Sequence, residues 1–176
     1  MSHALLIQLL LPTLAKSADP RLVILTSELH DITAKTGLDL AQTGKDAKGS
    51  PLGYGVANYD RSKYANLVYG RELAHRFPDI LVVPLHPGVV PTPLTSESSF
   101  VKRVVMRIVQ ALVGITLEQG AFNSLWASVA QRSDIKSGAY YVPVGKETPL
   151  KNFAAKDAEA KKVYDWTNSK LAPFVA

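Results

Sequence analysis

Two short runs in this chain are apolar almost throughout: Arg21-Leu22-Val23-Ile24-Leu25-Thr26 and Ile80 to Leu85. Runs of this length and character mark strands covered on both faces, as in a parallel sheet. Pro84 falls near the end of the second run, where a strand tolerates it. A third short strand is expected over Ala139 to Val142. The remaining pattern has the helical period. From about Val56 to Phe77, the residues Tyr64, Ala65, Leu67, Val68, Tyr69 and Leu73 leave few polar faces, so this helix is expected to be buried on more than one side. Phe100 to Val113 carries Val104, Val105, Ile108 and Leu112 on one side. Thr116-Leu117-Glu118-Gln119 is a capping box opening a helix through about Ala130. Ala154 to Leu171 is the last helix, anchored by Val163, Trp166 and Leu171. The leucine-rich start, Ala4 to Leu14, reads as a buried helix with Pro12 bending its last turn. Glu28 to Gly55 is polar and glycine-containing, and reads as one long loop of the kind that is functional or mobile. Strand, helix, strand, helix, strand implies right-handed crossovers and a parallel sheet.

Composition narrows the classes. With 176 residues, the chain is expected to be a single domain over 1–176 with a real core. The hydrophobic share of 47% and charged share of 20% fit a globular protein. The net charge is +5 and the pI about 9.4, yet Lys and Arg are scattered and form no block. That distribution speaks against nucleic acid as a partner and leaves an ordinary basic surface or a site for an anionic, phosphate-bearing ligand. The absence of cysteine excludes disulfides and cysteine metal sites and is compatible with a cytoplasmic protein. His3, His30, His75 and His86 lack metal-ligand spacing, so no metal is expected. Ala4 to Leu14 falls far short of the roughly 20 apolar residues of a membrane span. It also lacks the preceding positive charge of a signal peptide. Ser169-Lys170-Leu171 is not a peroxisomal address, because Ala172 to Ala176 follow it.

The candidate chemistry begins with Tyr59 and Lys63, one helical turn apart. A free phenol has a pKa of about 10 and is a poor base at neutral pH. An ammonium about 6 Å from the phenolate, at an effective dielectric of about 20, stabilises it by roughly 3 kcal/mol. That corresponds to roughly two pKa units, so the pair can act as a general acid/base near pH 7. Ser27 ends the first strand run and could hold a substrate oxygen while Tyr59 moves the proton. Pro87-Gly88-Val89-Val90-Pro91-Thr92 follows the second run. Each piece alone has a plain reading as a turn, a cap or a solvated pair. Their order is the stronger signal, because ligands of open α/β sheets bind outside the carboxyl ends of the strands.

In that order the residues resemble the active-site half of a short-chain dehydrogenase/reductase. Leu22 to Ser27 resembles the strand and serine, Tyr59 to Lys63 the Tyr-x-x-x-Lys motif, and Pro87 to Thr92 the Pro-Gly-x-x-x-Thr loop. His3 to Ser17, Tyr59 to Phe77 and Leu85 to Thr92 are similar to the retinol-dehydrogenase and WW-domain-oxidoreductase branch, especially fungal members. Gly138 to Gly145 and Trp166-Thr167 resemble fungal tails. The resemblance implies the C-terminal part of a Rossmann-like doubly wound parallel sheet, about three strands with flanking helices. It implies an NAD(P)-dependent oxidoreductase that interconverts a carbonyl and an alcohol, with a role in secondary metabolism as one option. Ser27 would orient substrate, Tyr59 donate or accept the proton, and Lys63 lower the tyrosine pKa and hold the nicotinamide ribose. Val90 and Thr92 would contact the carboxamide end of NADP or NAD. A homodimer through the helices at Ala4–Leu14 and Tyr64–Leu73 is also implied.

The departures from that family pattern lie at the front. Only 26 residues precede Ser27, so the glycine-rich turn and the catalytic asparagine of the family have no counterpart in this sequence. Gly53-Tyr54-Gly55-Val56-Ala57-Asn58 is no substitute, because Asn58 stands where a third glycine belongs and a loop precedes it. The chain is therefore read as a truncated domain. The alternative reading is an inactive remnant acting as a binding or dimerisation module. An epimerase or dehydratase is a third reading, against which the modest length after Tyr59 counts.

Overall fold

The computed structural model describes residues 1–42, 54–90 and 115–175. In chain order, α1 is Ser2–Leu14, β1 Arg21–Leu25, α2 His30–Ala34, α3 Tyr54–Arg76 and β2 Leu81–Leu85. Then follow α4 Leu117–Val129, β3 Tyr141–Val142, β4 Lys146–Glu147 and α5 Asp157–Leu171. The strand order is β1-β2-β3-β4; the first three are parallel and β4 is antiparallel to β3. This is a Rossmann-like α/β arrangement. The three expected strands form its parallel part. The extra strand, β4, is two residues long and too short to leave a pattern in the sequence.

β2 lies at the centre, with all five residues buried. Leu81, Val83 and Leu85 face Ala127 of α4, together with Ile135 and Tyr141. Val82 faces Ala4 of α1 and Tyr69 and Leu73 of α3. Helices thus cover both faces, which is why the run reads as continuously apolar. Pro84 fits because peptide groups in a strand alternate between neighbours. Leu81 N–H bonds to Pro20 O and Leu85 O accepts from Thr26 N–H, both towards β1. Val82 O accepts from Gly138 N–H and His86 N–H bonds to Tyr141 O, both towards β3. Pro84 has the second parity, and the β2–β3 ladder is the single pair Leu85–Tyr141. Its missing N–H therefore removes no rung from the β1–β2 ladder.

Three expectations need correction. β1 was expected to be covered on both faces, but Ile24 alone is buried and Leu25 is 45% exposed. The reason is its place at the end of the sheet. Pro20 and Thr26 turn towards β2, so by alternation Arg21, Val23 and Leu25 turn their peptide groups to the outer edge. The leucine-rich α1 is not a buried helix: Ala4 is buried, but Leu6, Leu9 and Leu10 are each about half exposed. Finally, the polar stretch after β1 is not all loop. It contains α2 and a 3-10 turn at Leu40–Gln42. α2 is only five residues long, held by His30, Thr33 and Ala34 packing inward, and is too short to show a helical period.

The expected long helix is present as α3, buried on several sides. Tyr64, Leu67 and Val68 pack with Ala34 of α2 and Ala160 and Val163 of α5, while Tyr69 and Leu73 join the cluster under α1. Gly70 lets α3 lie close to the sheet, since a Cβ there would stand 2.9 Å from Ile24 Cδ1. The predicted capping box is made in full: Gln119 N–H donates to Thr116 Oγ1 at 3.1 Å and Gln119 Oε1 accepts from Thr116 N–H at 2.9 Å. The last helix is a 3-10 turn at Asn152–Ala155 followed by α5, with Val163 and Leu171 buried as expected and Trp166 only partly so. The expected helix at Phe100–Val113 lies outside the described residues. No helix among the described residues is long and apolar enough to cross a membrane.

Candidate active site

β1 and β2 end level with each other, Leu25 opposite Leu85. The segments that leave them, Thr26–Glu28 and His86–Val90, therefore emerge side by side at the carboxyl edge of the sheet. Ser27 is buried at 6% exposure, and its Oγ accepts the Leu29 N–H at 3.3 Å. That contact shapes the turn into α2 and leaves the Ser27 O–H without an acceptor among the described residues. Its carbonyl is occupied separately, by His30 N–H at 3.1 Å and His30 Nδ1 at 2.6 Å.

The first turns of α3 bring Tyr59 and Lys63 to the same edge. Lys63 Nζ lies 5.6 Å from the centroid of the Tyr59 ring, within cation–π range. It also donates to Leu25 O at 3.4 Å, at the end of β1 and two residues from Ser27. Asn66 Nδ2 donates to the same carbonyl at 3.3 Å. Burial lowers the Lys63 pKa from its ordinary value, because a half-covered ammonium loses hydration. Asp60, between the two, points inward and is 3% exposed. Burial raises its carboxyl pKa, against hydrogen bonds from the Arg61 N–H and the Thr33 side chain.

The loop after β2 is pinned by shape. Gly88 adopts φ +98°, and a Cβ there would stand 2.4 Å from Ile115 Cδ1. Ile115 N–H donates to Val89 O at 3.0 Å. Val90 nestles against α4 at Gly120, where a Cβ would stand 2.5 Å from Val90 Cγ2. Glycine at Gly88 suits the left-handed backbone, and at both positions a Cβ would force the Ile115 or Val90 side chain to move. Thr92 lies outside the described residues.

The structure also brings together polar groups that the sequence pattern did not single out. Asn123, fully buried on α4, donates from Nδ2 to His86 O at 2.8 Å and to Tyr141 O at 3.3 Å. Its Oδ1 accepts the Gly145 N–H at 2.9 Å. One side chain thereby ties the end of β2, β3 and the β3–β4 turn together. A polar residue facing inward on a helix of small and apolar residues was the available signal. His86 is buried at 7%, with Nε2 at 3.9 Å from the Glu28 carboxylate. His30 is buried at 3% and meets Tyr140 edge-on at 4.9 Å between ring centres. Chemically, the carboxyl ends of β1 and β2 and the start of α3 offer a buried hydroxyl, a phenol beside an ammonium tied to the end of β1, and a tightly held loop.

No family model matches the chain. Curated proteins are similar to it across most of its length. The short-chain dehydrogenase/reductase drtF of Aspergillus calidoustus is 31% identical over 161 residues, covering 86% of this chain and 50% of that protein. An uncharacterised oxidoreductase of Schizosaccharomyces pombe is 30% identical over 179 residues, covering 96% and 52%. Retinol dehydrogenase 14 of Mus musculus is 31% identical over 170 residues, covering 94% and 48%. The chain thus spans about half the length of the curated relatives it matches. Among solved structures, an uncharacterised protein from Mycobacterium paratuberculosis superposes with a TM-score of 0.59 at 20% identity, covering 93% of this chain and 53% of that one; it shows the fold.

Proposed function

We propose, from the premise that this chain belongs to the short-chain dehydrogenase/reductase family, that it carries the substrate side of an NAD(P)-dependent oxidoreductase interconverting a carbonyl and an alcohol. The observation that carries this reading is Lys63: its Nζ stands beside the Tyr59 ring at 5.6 Å and reaches the end of β1 at Leu25 O. The donor set suits the ribose and nicotinamide end of a dinucleotide, NADP or NAD. An ammonium has three N–H donors, and Leu25 O takes one of them. Val90, seated against Gly120, would flank the ring, and Thr92 would meet the carboxamide. Such a cofactor supplies the hydride when bound. Tyr59 would give its phenolic proton to the substrate oxygen in reduction and take it back in oxidation. Lys63 would hold the nicotinamide ribose through its remaining N–H donors. Ser27 would donate its O–H to the same oxygen and hold it in register.

The phosphate end of the cofactor has no glycine-rich turn among these residues, so the 176-residue chain alone is expected to turn over no substrate. The test is to supply the remainder of a relative's length by fusion or co-expression and offer carbonyl substrates with NADPH or NADH. Reduction with either is expected. A folded complex that binds a dinucleotide and yet reduces no carbonyl would overturn the reading.

We further propose a homodimer through α1, in the cytoplasm. The structure narrows the surface expected from sequence, because the apolar residues of α3 are consumed within the chain by α2, α5 and the sheet. What remains outward is the stripe Leu6, Leu9 and Leu10 on α1, exposed by 56%, 54% and 50%. Sedimentation at micromolar concentration should show a dimer that Leu9→Glu converts to monomer. A stable monomer of the unchanged chain contradicts this.

A further inference from the structure

We propose that His86 is a positioning residue for this site: through Glu28, it latches the turn that carries Ser27 to the loop that carries Val90. The proposal rests on the function above only for the role given to Ser27. The latch itself is a property of this chain without cofactor or substrate.

The argument starts from where the imidazole is held. The backbone of His86 is fixed on both sides, by its N–H to Tyr141 O at 2.9 Å and by its carbonyl to Asn123 Nδ2 at 2.8 Å. Its side chain has no such anchorage. Nδ1 is shielded from solvent and has no hydrogen-bond partner among the described residues. Nε2 faces the Glu28 carboxylate at 3.9 Å, near enough for attraction and too far for a hydrogen bond. A buried nitrogen left without a partner is unfavourable, and such groups call for an explanation. With neither ring nitrogen hydrogen-bonded among the described residues, nothing on the ring itself opposes a change of partner at Nε2. Glu28 is the residue after Ser27, and its side chain is 64% exposed, so it can swing between solvent and His86.

Protonation decides which. The neutral ring leaves Glu28 in water. The protonated ring offers Nε2–H to the carboxylate and draws the Ser27 turn against the His86–Pro87–Gly88 loop. Among the described residues, the titratable groups around it come from three elements. Glu28 follows β1, His30 and Asp31 lie on α2, and Tyr140 precedes β3. Burial holds the His86 pKa below the ordinary histidine value, with Glu28 opposing that shift and His30 adding to it. His30 is engaged elsewhere, with Nδ1 on Ser27 O at 2.6 Å and Nε2 near Asp31 at 3.3 Å. The latch therefore closes as pH falls through the His86 midpoint and opens above it.

The test is an NMR titration of the 176-residue chain, following the imidazole of His86 and the backbone amides of Ser27 and Glu28. The amides are expected to titrate with the His86 midpoint. Glu28→Gln, at an exposed position that leaves the core intact, should lower that midpoint by roughly half a pH unit, since a carboxylate favours the charged ring. It should also flatten the Ser27 response. His86→Gln should abolish the response altogether. The proposal is overturned if the Ser27 and Glu28 amides stay flat while His86 titrates, or if Glu28→Gln leaves the midpoint where it was. It is equally overturned if the Ser27 response persists in His86→Gln, since His30 would then be its source. Should His86→Gln fail to fold, the two Glu28→Gln outcomes decide. None of these readings depends on turnover, so a latch without oxidoreductase activity and an oxidoreductase without a latch are distinguishable.

Discussion

Tyr59→Phe will lower turnover by about 10²–10⁴-fold in the chain completed to the length of its relatives, with substrate KM changed little. The substitution removes one oxygen and nothing else. The ring remains at the start of α3, and the Lys63 ammonium keeps its place 5.6 Å from the ring centre. What disappears is the group proposed to give its proton to the developing alkoxide. The expected loss corresponds to roughly 3–5 kcal/mol of barrier, the usual size of a general acid's contribution. Ser27 cannot replace it, because a hydroxyl that donates a hydrogen bond without a base behind it has no means to give its proton up. A variant that keeps more than a tenth of wild-type turnover would remove Tyr59 from the proposed chemistry. A loss confined to KM would mean that the hydroxyl serves binding alone.

Several features of the fold could be read from residue patterns, and the reasons differ by element. β2 was legible because both of its faces are covered, so every position carries the same apolar signal. α3 was legible through its 23 residues, long enough for the helical period to be unmistakable. The capping box of α4 was legible because its chemistry is local, with donor and acceptor three residues apart. β1 misled for a physical reason. Its sequence is that of an interior strand, whereas in this chain it is the last strand of the sheet, with the peptide groups of Arg21, Val23 and Leu25 turned outward. The leucines of α1 misled in the same way, since a run that is apolar on all sides does not say which side is covered. α2 and β4 were invisible because five and two residues are too few to establish any period.

The candidate site divides similarly. Ser27, Tyr59 and Lys63 could be placed from sequence because each sits at a strand end or a helix start whose position follows from the apolar runs. The i, i+4 spacing makes Tyr59 and Lys63 neighbours on the helix, and the ammonium lies 5.6 Å from the ring centre. Glu28, His86 and Asn123 could not be placed, because their partners lie far along the chain. Asn123 meets His86 37 residues away and Gly145 22 residues away. Only the crossover that returns α4 to the sheet brings those groups within reach.

Asn123→Ala should therefore be the most destabilising single exchange outside the apolar core, at about 3 kcal/mol. Asn123 is fully buried and makes three hydrogen bonds, two from Nδ2 and one to Oδ1. Alanine would leave the Gly145 N–H and the His86 carbonyl without these partners in a place that water reaches poorly. An unsatisfied buried group costs about 1–3 kcal/mol, more than the net gain from forming an ordinary hydrogen bond. The loss of the side-chain volume adds a smaller cavity cost. For a chain of this size, the expected lowering of the melting temperature is about 10 °C. Asn123→Asp separates the two halves of the contact. It keeps an acceptor for Gly145 N–H but turns both donors into acceptors, facing the His86 and Tyr141 carbonyls with a buried negative charge. It should be at least as damaging as alanine at pH 7, and should recover part of the loss as pH falls and the carboxyl protonates and can donate again. The sign follows from linkage: the carboxyl pKa is raised in the folded state, so this variant is at its best below the unfolded value of about 4 and loses stability as pH rises from there through the raised folded value. Thermal melts of both variants between pH 4 and pH 7 would check this. A loss below about 1 kcal/mol for alanine would mean that water fills the place of the amide and that the ends of β2 and β3 hold together without it.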